Sequence, residues 1–323
     1  MKFSRSTDEE EAGDHMIVTV TLNPAVDKTY TTARLIPGQA NQMNSGVNIP
    51  GGKGINVTKV LKQYGYEVAA LGFLGGYQGG FIDDYVRSIG AETYFTRMSQ
   101  ETRSTINIIA EDGYVTEIYE PGPQVDIQEL SNFFDTYDEV ISRCDAVVLS
   151  GSAPRGVPAD IYARLIQRAK DLGKRVLLDT SKDFLMEGLK AKPELIKPNQ
   201  KELEYLVGHK IKGIEEAAQA SANLDEQGVP NVMVSMGPKG ILYACDSGLY
   251  YAKAPTVKIV NTVACGDSVV ASFAMSMLQK HSPEETLRQA VAISAANATT
   301  IESAVIPMEK AEELYHTITV ERL

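Results

Sequence analysis

The chain has 323 residues and a formal net charge of -11. This length is enough to bury a large hydrophobic core, in one large domain or in two of ordinary size. The acidic balance, with no basic run, argues against a nucleic-acid-binding protein and against one that binds anionic membrane surfaces.

The cysteines and the amino terminus indicate the compartment. Cys144, Cys245 and Cys265 are far apart and have no metal-ligand spacing, so we expect free thiols in the reducing cytoplasm. No apolar run approaches the roughly 20 residues of a membrane span, and no signal peptide is visible. Residues 1–15 are acidic and lack apolar periodicity, which predicts a disordered leader or expression remnant before Met16.

From Met16 onward, segments typical of strands and helices alternate. MIVTVTL predicts a buried strand, and the segment after GGKG has apolar residues at helical spacing up to Gly65. VAALGFLGG predicts the next strand, followed by a helix that ends at Gly90. Further strands, each followed by a helix, are predicted at DAVVLSGS, KRVLLDTS, ELIKPN and NVMVSMG. This alternation predicts an α/β fold with a mostly parallel sheet covered on both faces.

Two segments, about 28–49 and 102–122, interrupt the alternation. The second contains two extended runs on either side of Asp112-Gly113, a strong hairpin signal. We expect both segments to pair as a small β-sheet that forms a lid over the active site. The alternative is two separate surface hairpins without a functional role.

The first polar loop is PGGKGIN, residues 50–56. It does not match a Walker A loop, because Val47 replaces the first glycine and Gly54 follows Lys53. It does not match a dinucleotide fingerprint either, because Val57 replaces the third glycine. What remains is a backbone that a ligand can approach closely, beside one ammonium at a helix N-terminus. A plain strand-to-helix connection is the alternative.

The second loop, KPNQKEL, places Asn199 and Glu202 one turn apart on a helix that starts after Pro198. One interpretation is a capping box, in which the two residues satisfy the first amides of the helix. The other is an amide and a carboxylate that face a phosphate carrying Mg²⁺.

The third loop, NTVACGDSVV, leads into a long apolar helix. Ala264, Cys265 and Gly266 offer consecutive backbone amides with little side-chain bulk, which favours an anion site. Asp267 either caps the helix or takes a proton from a hydroxyl that attacks the bound anion. The second interpretation is phosphoryl transfer without a Walker loop.

The motifs NPAVD, GGKGIN, ETR, SGSAP, KPNQKEL, VSMGPKG and NTVACGDS follow one another in the order found in one family. From Met16 to the end, the chain resembles the ribokinase-like (PfkB-type) sugar kinases, in the branch of 1-phosphofructokinases and tagatose-6-phosphate kinases. The resemblance implies one kinase domain over residues 16–323, built as a three-layer ribokinase-like sandwich with a β-sheet lid.

The resemblance also implies roles for particular residues. Asp267 would be the catalytic base, and residues 264–266 the anion hole. Asn199 and Glu202 would organise Mg²⁺ and the phosphates. The residues implied on the nucleotide side are Lys197, Asn199, Ser235, Gly237, Gly240 and Asn297. Those implied on the sugar side are Asp27, Gly51, Gly52, Lys53, Asn56 and Arg103.

The implied activity is ATP- and Mg²⁺-dependent phosphorylation of a sugar. Lys53 and Arg103 are suitable donors for a second phosphate in an acidic chain, which favours a phosphorylated ketohexose. Fructose 1-phosphate is the first choice, then tagatose 6-phosphate, then fructose 6-phosphate, whose kinases in this family place Gly where Lys53 stands. A catalytically silent sugar-phosphate sensor is the non-enzyme alternative; a Rossmann dehydrogenase lacks its fingerprint here. A homodimer through the lid is also implied.

This chain departs from the family pattern Gly-Ala-Gly-Asp, because it has Ala-Cys-Gly-Asp at residues 264–267. Since a left-handed alanine is unfavourable by about 1 kcal/mol, we expect Ala264 to adopt a conformation open to any L-residue. We also expect the Cys265 thiol, near a helix N-terminus, to be more acidic than an ordinary thiol.

Overall fold

The computed structural model describes residues 15–226 and 228–323, so the predicted leader lies outside the described residues except for His15. The first half contains β1 Met16–Thr21, β2 Ala25–Thr32, β3 Ser45–Gly51, α1 Lys53–Gln63, β4 Glu67–Leu74, α2 Gly76–Ser88, β5 Glu92–Arg97, β6 Arg103–Ala110, β7 Val115–Tyr119, α3 Ile127–Ile141, β8 Ala146–Ser150 and α4 Ile161–Asp171. The second half contains β9 Arg175–Asp179, α5 Lys182–Leu189, β10 Leu195–Ile196, α6 Gln200–Val207, α7 Ile214–Glu226, β11 Asn231–Ser235, β12 Ile241–Cys245, β13 Gly248–Ala252, α8 Cys265–Leu278, α9 Pro283–Asn297, α10 Met308–Thr317 and β14 Val320–Arg322.

The larger sheet has ten strands in the order β14-β13-β12-β11-β10-β9-β8-β1-β4-β5. From β11 to β5 every neighbouring pair is parallel, whereas β12, β13 and β14 join the other end by antiparallel pairing. The prediction of a mostly parallel sheet is therefore confirmed.

Helices cover both faces of this sheet. One core cluster joins it to α1, α2, α8, α9 and α10, and the other joins it to α3, α4, α5, α6 and α7. Successive residues of β1 alternate between them, since Ile17 belongs to the first cluster and Val18 and Val20 belong to the second. Burial on both faces explains why residues 17–21 of this strand are all buried, Thr19 and Thr21 included. Each fully buried aliphatic side chain stabilises the fold by about 1.5–3 kcal/mol.

The four strands β3-β2-β6-β7 form a second, smaller sheet. Asp27 of β2 pairs with Ile49 of β3 on one side and with Thr105 of β6 on the other, and β6 and β7 form the predicted hairpin around residues 112–113. The two interrupting segments thus pair with each other, as predicted.

Two details of the sequence-based assignment are wrong. The segment after NVMVSMG is not a helix; a single 3-10 turn, Gly237–Lys239, leads into the antiparallel hairpin β12-β13. Gly237 and Gly240, with φ of 58° and 109°, bend the chain sharply there. In addition, β5 had not been predicted, although ETYFTR follows the helix-ending Gly90 directly.

Candidate active site

The predicted site residues lie at the edge of the large sheet where the parallel strands end. The strands β1, β8, β9, β10 and β11 all end at this edge, because parallel neighbours run in the same direction. The α1 helix begins there too, because its first residue, Lys53, bonds to Asp179 at the end of β9. The start of α8 lies beside it, because Asn56 of α1 bonds to Asp267 of α8. Ligands of open α/β sheets bind at such an edge.

Asp267 is the third residue of α8 and is 6% exposed. Its Oδ2 accepts a hydrogen bond of 2.8 Å from Nδ2 of Asn56 in α1. The side chain does not cap the helix, so this alternative for Asp267 is not what the structure shows. Burial raises the pKa of Asp267 to about 6; Lys53 opposes this effect and Asp179 adds to it. A carboxylate of this kind is ionised at neutral pH and able to accept a proton.

An ion-pair cluster lies beside Asp267, in which Asp179 and Lys197 are buried and Lys53 is partly exposed. The Lys53 Nζ donates to Asp179 Oδ1 at 3.0 Å, and the Lys197 Nζ lies 3.5 Å from the same oxygen. Burial would raise the pKa of Asp179, but the two ammonium groups outweigh it and hold that pKa below its usual value. Asp179 is 1% exposed, and its second oxygen, Oδ2, has no hydrogen-bond partner within the described part of the chain.

Asp179 is a site residue that the sequence analysis missed. It ends β9 inside the quoted segment KRVLLDTS, so its place at the carboxyl end of a buried strand was the available signal. Its partner Lys53 is 126 residues away in the chain, and no local pattern indicates that pairing.

Lys53 stands among carboxylates. Burial disfavours its ammonium, but the negative charges around it outweigh burial and raise the pKa of Lys53 above its usual value. Those charges belong to Asp179, Asp267 and Glu202. Lys53 therefore interacts electrostatically with the predicted base, with the KPNQKEL loop and with the end of β9.

The turn before α8 differs from the expectation. Ala264 has φ 66° and ψ 1°, a left-handed conformation, so the prediction of an ordinary L-residue geometry at this position is wrong. The Cys265 amide donates to the carbonyl of Thr262 at 3.3 Å and is thus engaged within the turn. The amides of Gly266 and Asp267, in the first helical turn, have no carbonyl within α8 to bond and remain suited to an anion.

Gly266 also allows a cation to approach this turn. A Cβ built on Gly266 would lie 3.1 Å from the Lys197 Nζ, closer than ordinary packing permits. The absence of a side chain therefore lets the Lys197 ammonium stand beside the first-turn amides, where it adds positive charge for an anion.

The prediction of an acidic Cys265 thiol is wrong. Burial raises the pKa of Cys265, and hydrogen bonds from Asn297 and Ser294 offset that only in part. The thiol is partly buried rather than open to solvent, and all three cysteines are free.

Asn199 and Glu202 form the capping box that was one of the two interpretations. Oδ1 of Asn199 accepts from the Glu202 amide at 2.9 Å, and Oε2 of Glu202 accepts from the Asn199 amide at 2.9 Å. This bonding uses one oxygen of the Glu202 carboxylate, whose charge still reaches Lys53.

On the sugar side, Asp27 projects from β2 and Oδ1 accepts a hydrogen bond from the Thr105 hydroxyl on β6. Burial raises the pKa of Asp27, while Thr105, Lys59 and Arg103 each oppose this effect. A Cβ on Gly51, at the end of β3, would overlap the Asp27 carboxylate. Residue 51 must therefore be glycine, because the Asp27 carboxylate occupies the space that a side chain there would need.

Arg103, at the start of β6, reaches the end of β1. The Arg103 Nε donates to Asn23 Oδ1 at 3.1 Å, and Nη2 donates to the Asn23 carbonyl at 3.3 Å. The Asn23 Nδ2 in turn donates to Ser152 Oγ at 3.2 Å, beyond the end of β8. Asn23 and Ser152 belong to the quoted motifs NPAVD and SGSAP, but the sequence analysis did not single them out.

Lys59 is a second residue that the sequence analysis missed. It lies one helical turn after Asn56 on α1, is 3% exposed, and its Nζ donates to the carbonyl of Pro50 at 2.7 Å. Burial lowers the pKa of Lys59 to about 8, although Glu302 and Asp27 oppose this effect. This bond ties α1 to the end of β3.

Only some of the residues predicted to bind the nucleotide are shown to contact one another. Ser235 pairs with Asn199 in a short bridge, and its amide donates to the Pro198 carbonyl at 3.1 Å. Gly237 and Gly240 form the turn that follows. Asn297 is 1% exposed and its amide group bonds inside the protein, so its side chain does not face an open site.

Within residues 15–226 and 228–323, no three His, Cys, Asp or Glu side chains are grouped so that they could hold a metal ion. No helix of the described residues is both long and apolar enough to span a bilayer.

Comparisons with known proteins identify the family and agree with the fold. The family described as pfkB family carbohydrate kinase matches residues 16–311. A 1-phosphofructokinase of Bacillus subtilis is 35% identical over 308 residues, which cover 95% of this chain and 100% of that protein. A tagatose-6-phosphate kinase of Staphylococcus epidermidis is 34% identical over 308 residues, covering 94% and 99%. The structure of phosphofructokinase-2 from Escherichia coli in complex with substrates and products is similar with a TM-score of 0.86 and 26% identity, covering 94% and 99%.

Proposed function

We propose that this chain, which belongs to the pfkB family of carbohydrate kinases, transfers a phosphoryl group from ATP to fructose 1-phosphate, with Asp267 as the general base. The product would be fructose 1,6-bisphosphate. We take residues 16–323 as one kinase domain with the smaller sheet as its lid.

The observation that supports this proposal most strongly is the environment of Asp267. Its buried carboxylate is held by Asn56 and lies in the first helical turn of α8, as do the backbone amides of residues 266 and 267. A substrate hydroxyl would give its proton to Asp267 as its oxygen attacks the γ-phosphoryl group of ATP. The amides and the Lys197 ammonium would stabilise the negative charge on the transferring oxygens.

We include Mg²⁺ as the cofactor. The described residues offer no closed metal cage, which suits an ion that ATP phosphates and water mostly hold. Glu202 fits as the protein's contribution, because Asn199 engages one oxygen of its carboxylate and the group lies close enough to influence Lys53. When bound, the ion would neutralise part of the phosphate charge.

Two cations are available for the phosphate that the sugar already carries. Arg103 is anchored through Asn23, with its guanidinium near Asp27, which places it beside the sugar hydroxyls that Asp27 would hold. Lys53 is bound to Asp179 in this structure, so it would contact a substrate phosphate only by sharing or exchanging that partner. Both support an anionic sugar over a neutral one.

Tagatose 6-phosphate is the second candidate substrate. The two relatives compared above, which bear the two substrates in their names, are almost equally similar to this chain. Identity alone therefore does not separate the two sugars; a comparison of kcat/KM for both substrates does.

We propose a homodimer that forms through the smaller sheet. In the register of this sheet, Val47, Ile109, Val115 and Tyr119 lie on the same face as Asp27, and they are 43–63% exposed. An apolar face of this kind is typical of an interface between protein chains.

The variant Asp267→Asn tests the catalytic role. The amide keeps the shape of the carboxylate but accepts no proton at neutral pH, so we expect kcat to fall by at least about 1,000-fold. ATP binding, measured by titration calorimetry, should stay within about threefold of the unmodified protein. A variant that keeps a tenth of the original kcat would exclude Asp267 as the base; loss of ATP binding would show that its charge serves the nucleotide instead.

A further inference from the structure

Ala264 has an unfavourable backbone conformation at the entrance to α8. Its φ of 66° is in the left-handed region, which residues with a Cβ seldom adopt. The amide and the hydroxyl of Ser268 both donate to the Ala264 carbonyl, at 2.8 and 2.9 Å. The first hydrogen bonds of α8 are therefore made to the carbonyl of the strained residue. Any relaxation of Ala264 would change the direction of the backbone amides at the start of the helix.

The Asn297 side chain, at the end of α9, bonds to both neighbours of Ala264. Its Nδ2 donates to the Val263 carbonyl at 2.8 Å and to the Cys265 Sγ at 3.3 Å. Its Oδ1 accepts from the Ala304 amide at 2.9 Å. Both hydrogens of the amide group are used within the protein, and neither is left for a nucleotide base.

The surrounding backbone holds Asn297 firmly. The amides of Val260 and Asn261 donate to the Ala298 carbonyl at 2.8 and 3.2 Å, so the loop before the turn is already attached to the end of α9. Asn297 extends this attachment from the loop to the turn itself. The side chain is 1% exposed, so solvent does not compete with its bonds.

We infer that Asn297 is a positioning residue for phosphoryl transfer: by holding Val263 and Cys265, it keeps Ala264 left-handed and the amides of residues 266 and 267 directed at the site. The inference rests on the proposed kinase function. In place of the predicted contact with the nucleotide, Asn297 would act indirectly, by fixing the turn before α8. The Cys265 thiol would serve as a hydrogen-bond acceptor in that turn.

A double-mutant cycle tests this inference with Asn297→Ala, Ala264→Gly and the double variant. Because glycine adopts the left-handed region freely, the turn should need the Asn297 side chain less once residue 264 is glycine. We expect Asn297→Ala to lower kcat at least about tenfold in the natural background but at most about threefold in the Ala264→Gly background, with the KM for ATP nearly constant in both. Asn297→Ser, which keeps a hydroxyl, replaces the alanine variant if that one does not fold.

Gln289→Ala is the matched control. Gln289 is a buried amide of α9 that accepts from the Ser276 hydroxyl at 2.5 Å, away from the turn. The Gln289→Ala variant should be less stable than the natural protein but should not show the tenfold loss of kcat. Equal kcat losses in both backgrounds, or a raised KM for ATP at constant kcat, would overturn the inference.

A second measurement does not depend on turnover. The rate of Cys265 alkylation by iodoacetamide, followed by mass spectrometry of its peptide, reports on the turn directly. Because the hydrogen bond from Asn297 lowers the pKa of Cys265, its loss alone would slow alkylation at neutral pH. The rates are therefore compared on the alkaline plateau, where the thiol is ionised in both proteins, and there Asn297→Ala should raise the rate at least about threefold because the Cys265 side chain loses its fixed position. No rise would contradict the inference. A protein that phosphorylates no sugar but shows the rise would place the failure in the proposed function instead.

Discussion

At the scale of single residues, Asp267 and Asp179 are two buried carboxyl groups with opposite effects on folding. The pKa of Asp267 is raised from 3.8 to about 6, so its ionised form is less favourable in the folded protein than in the unfolded chain. The pKa of Asp179 is lowered because Lys197 and Lys53 surround it, so its ionised form stabilises the fold. The same site therefore contains one carboxylate whose charge opposes folding, as expected for the proposed base, and one whose charge stabilises the fold.

This contrast predicts that Asp267→Asn is more stable than the natural protein at pH 7.5, by about 3 kcal/mol in the free energy of unfolding. Between pH 3.8 and 6 the folded protein binds the extra proton, so the advantage shrinks as the pH falls from 7 toward 4. Urea unfolding of both proteins at pH 5.0 and 7.5 measures this difference in the free energy of unfolding.

Asp179→Asn is the control for that prediction. It should destabilise the protein by about 3 kcal/mol or more, because the buried Lys197 ammonium and the partly exposed Lys53 ammonium lose their shared partner. A loss of stability in the Asp267 variant at pH 7.5, or an advantage that grows toward acid pH, would contradict the assignment of these two roles.

At the scale of elements, the small sheet contributes to the site through close approach of its strands. Asp27 of β2 and Gly51 of β3 touch, so a side chain at residue 51 has no room. We expect Gly51→Ala to displace the Asp27 carboxylate and to raise the KM for the sugar phosphate at least about tenfold, with the KM for ATP within about twofold.

Gly80 provides the comparison for that variant. It lies in α2, and a Cβ there would meet no atom within 4 Å. Gly80→Ala should leave both KM values unchanged in the same kinetic assay. A Gly51→Ala protein with normal sugar affinity would show that Asp27 does not contact the sugar.

The elements also show what the sequence could predict. The alternation of strands and helices, the hairpin at Asp112-Gly113 and the buried β1 each follow from a local pattern, and all three are present. The antiparallel β12-β13 hairpin, where we had expected a helix after NVMVSMG, has no such clear pattern. It depends on neighbours in the sheet, which periodicity within one segment does not reveal.

In the candidate site, too, local patterns were predictable and contacts between distant segments were not. Local motifs identified Asp267 and Asn56, and the structure joins them at 2.8 Å. The pairing of Lys53 with Asp179 and the left-handed Ala264 were missed or wrongly predicted, because both depend on contacts between distant segments. A motif indicates which residues could meet a ligand, but not what else in the fold binds them first.

At the scale of the whole molecule, the proposed dimer predicts a mass about twice that of one chain in light scattering. Val115→Asp places a charge on the exposed apolar face of the small sheet and should yield monomers. Ile127→Asp should not, although Ile127 on α3 is even more exposed, at 88% against 59% for Val115. A Val115→Asp protein that keeps the dimer mass would place the interface elsewhere.

The measurement that tests the central claim most directly is ADP release with Mg²⁺ and ATP against fructose 1-phosphate, tagatose 6-phosphate, fructose 6-phosphate and free fructose, side by side. We predict the highest kcat/KM for fructose 1-phosphate and at least about a hundredfold lower value for free fructose, because the fixed cations would have no phosphate to bind. The Asp267→Asn protein should release no ADP with any of them. Equal turnover of free fructose and the phosphorylated sugars would contradict sugar-phosphate specificity, and no turnover of any sugar by a protein that binds ATP would favour the sensor.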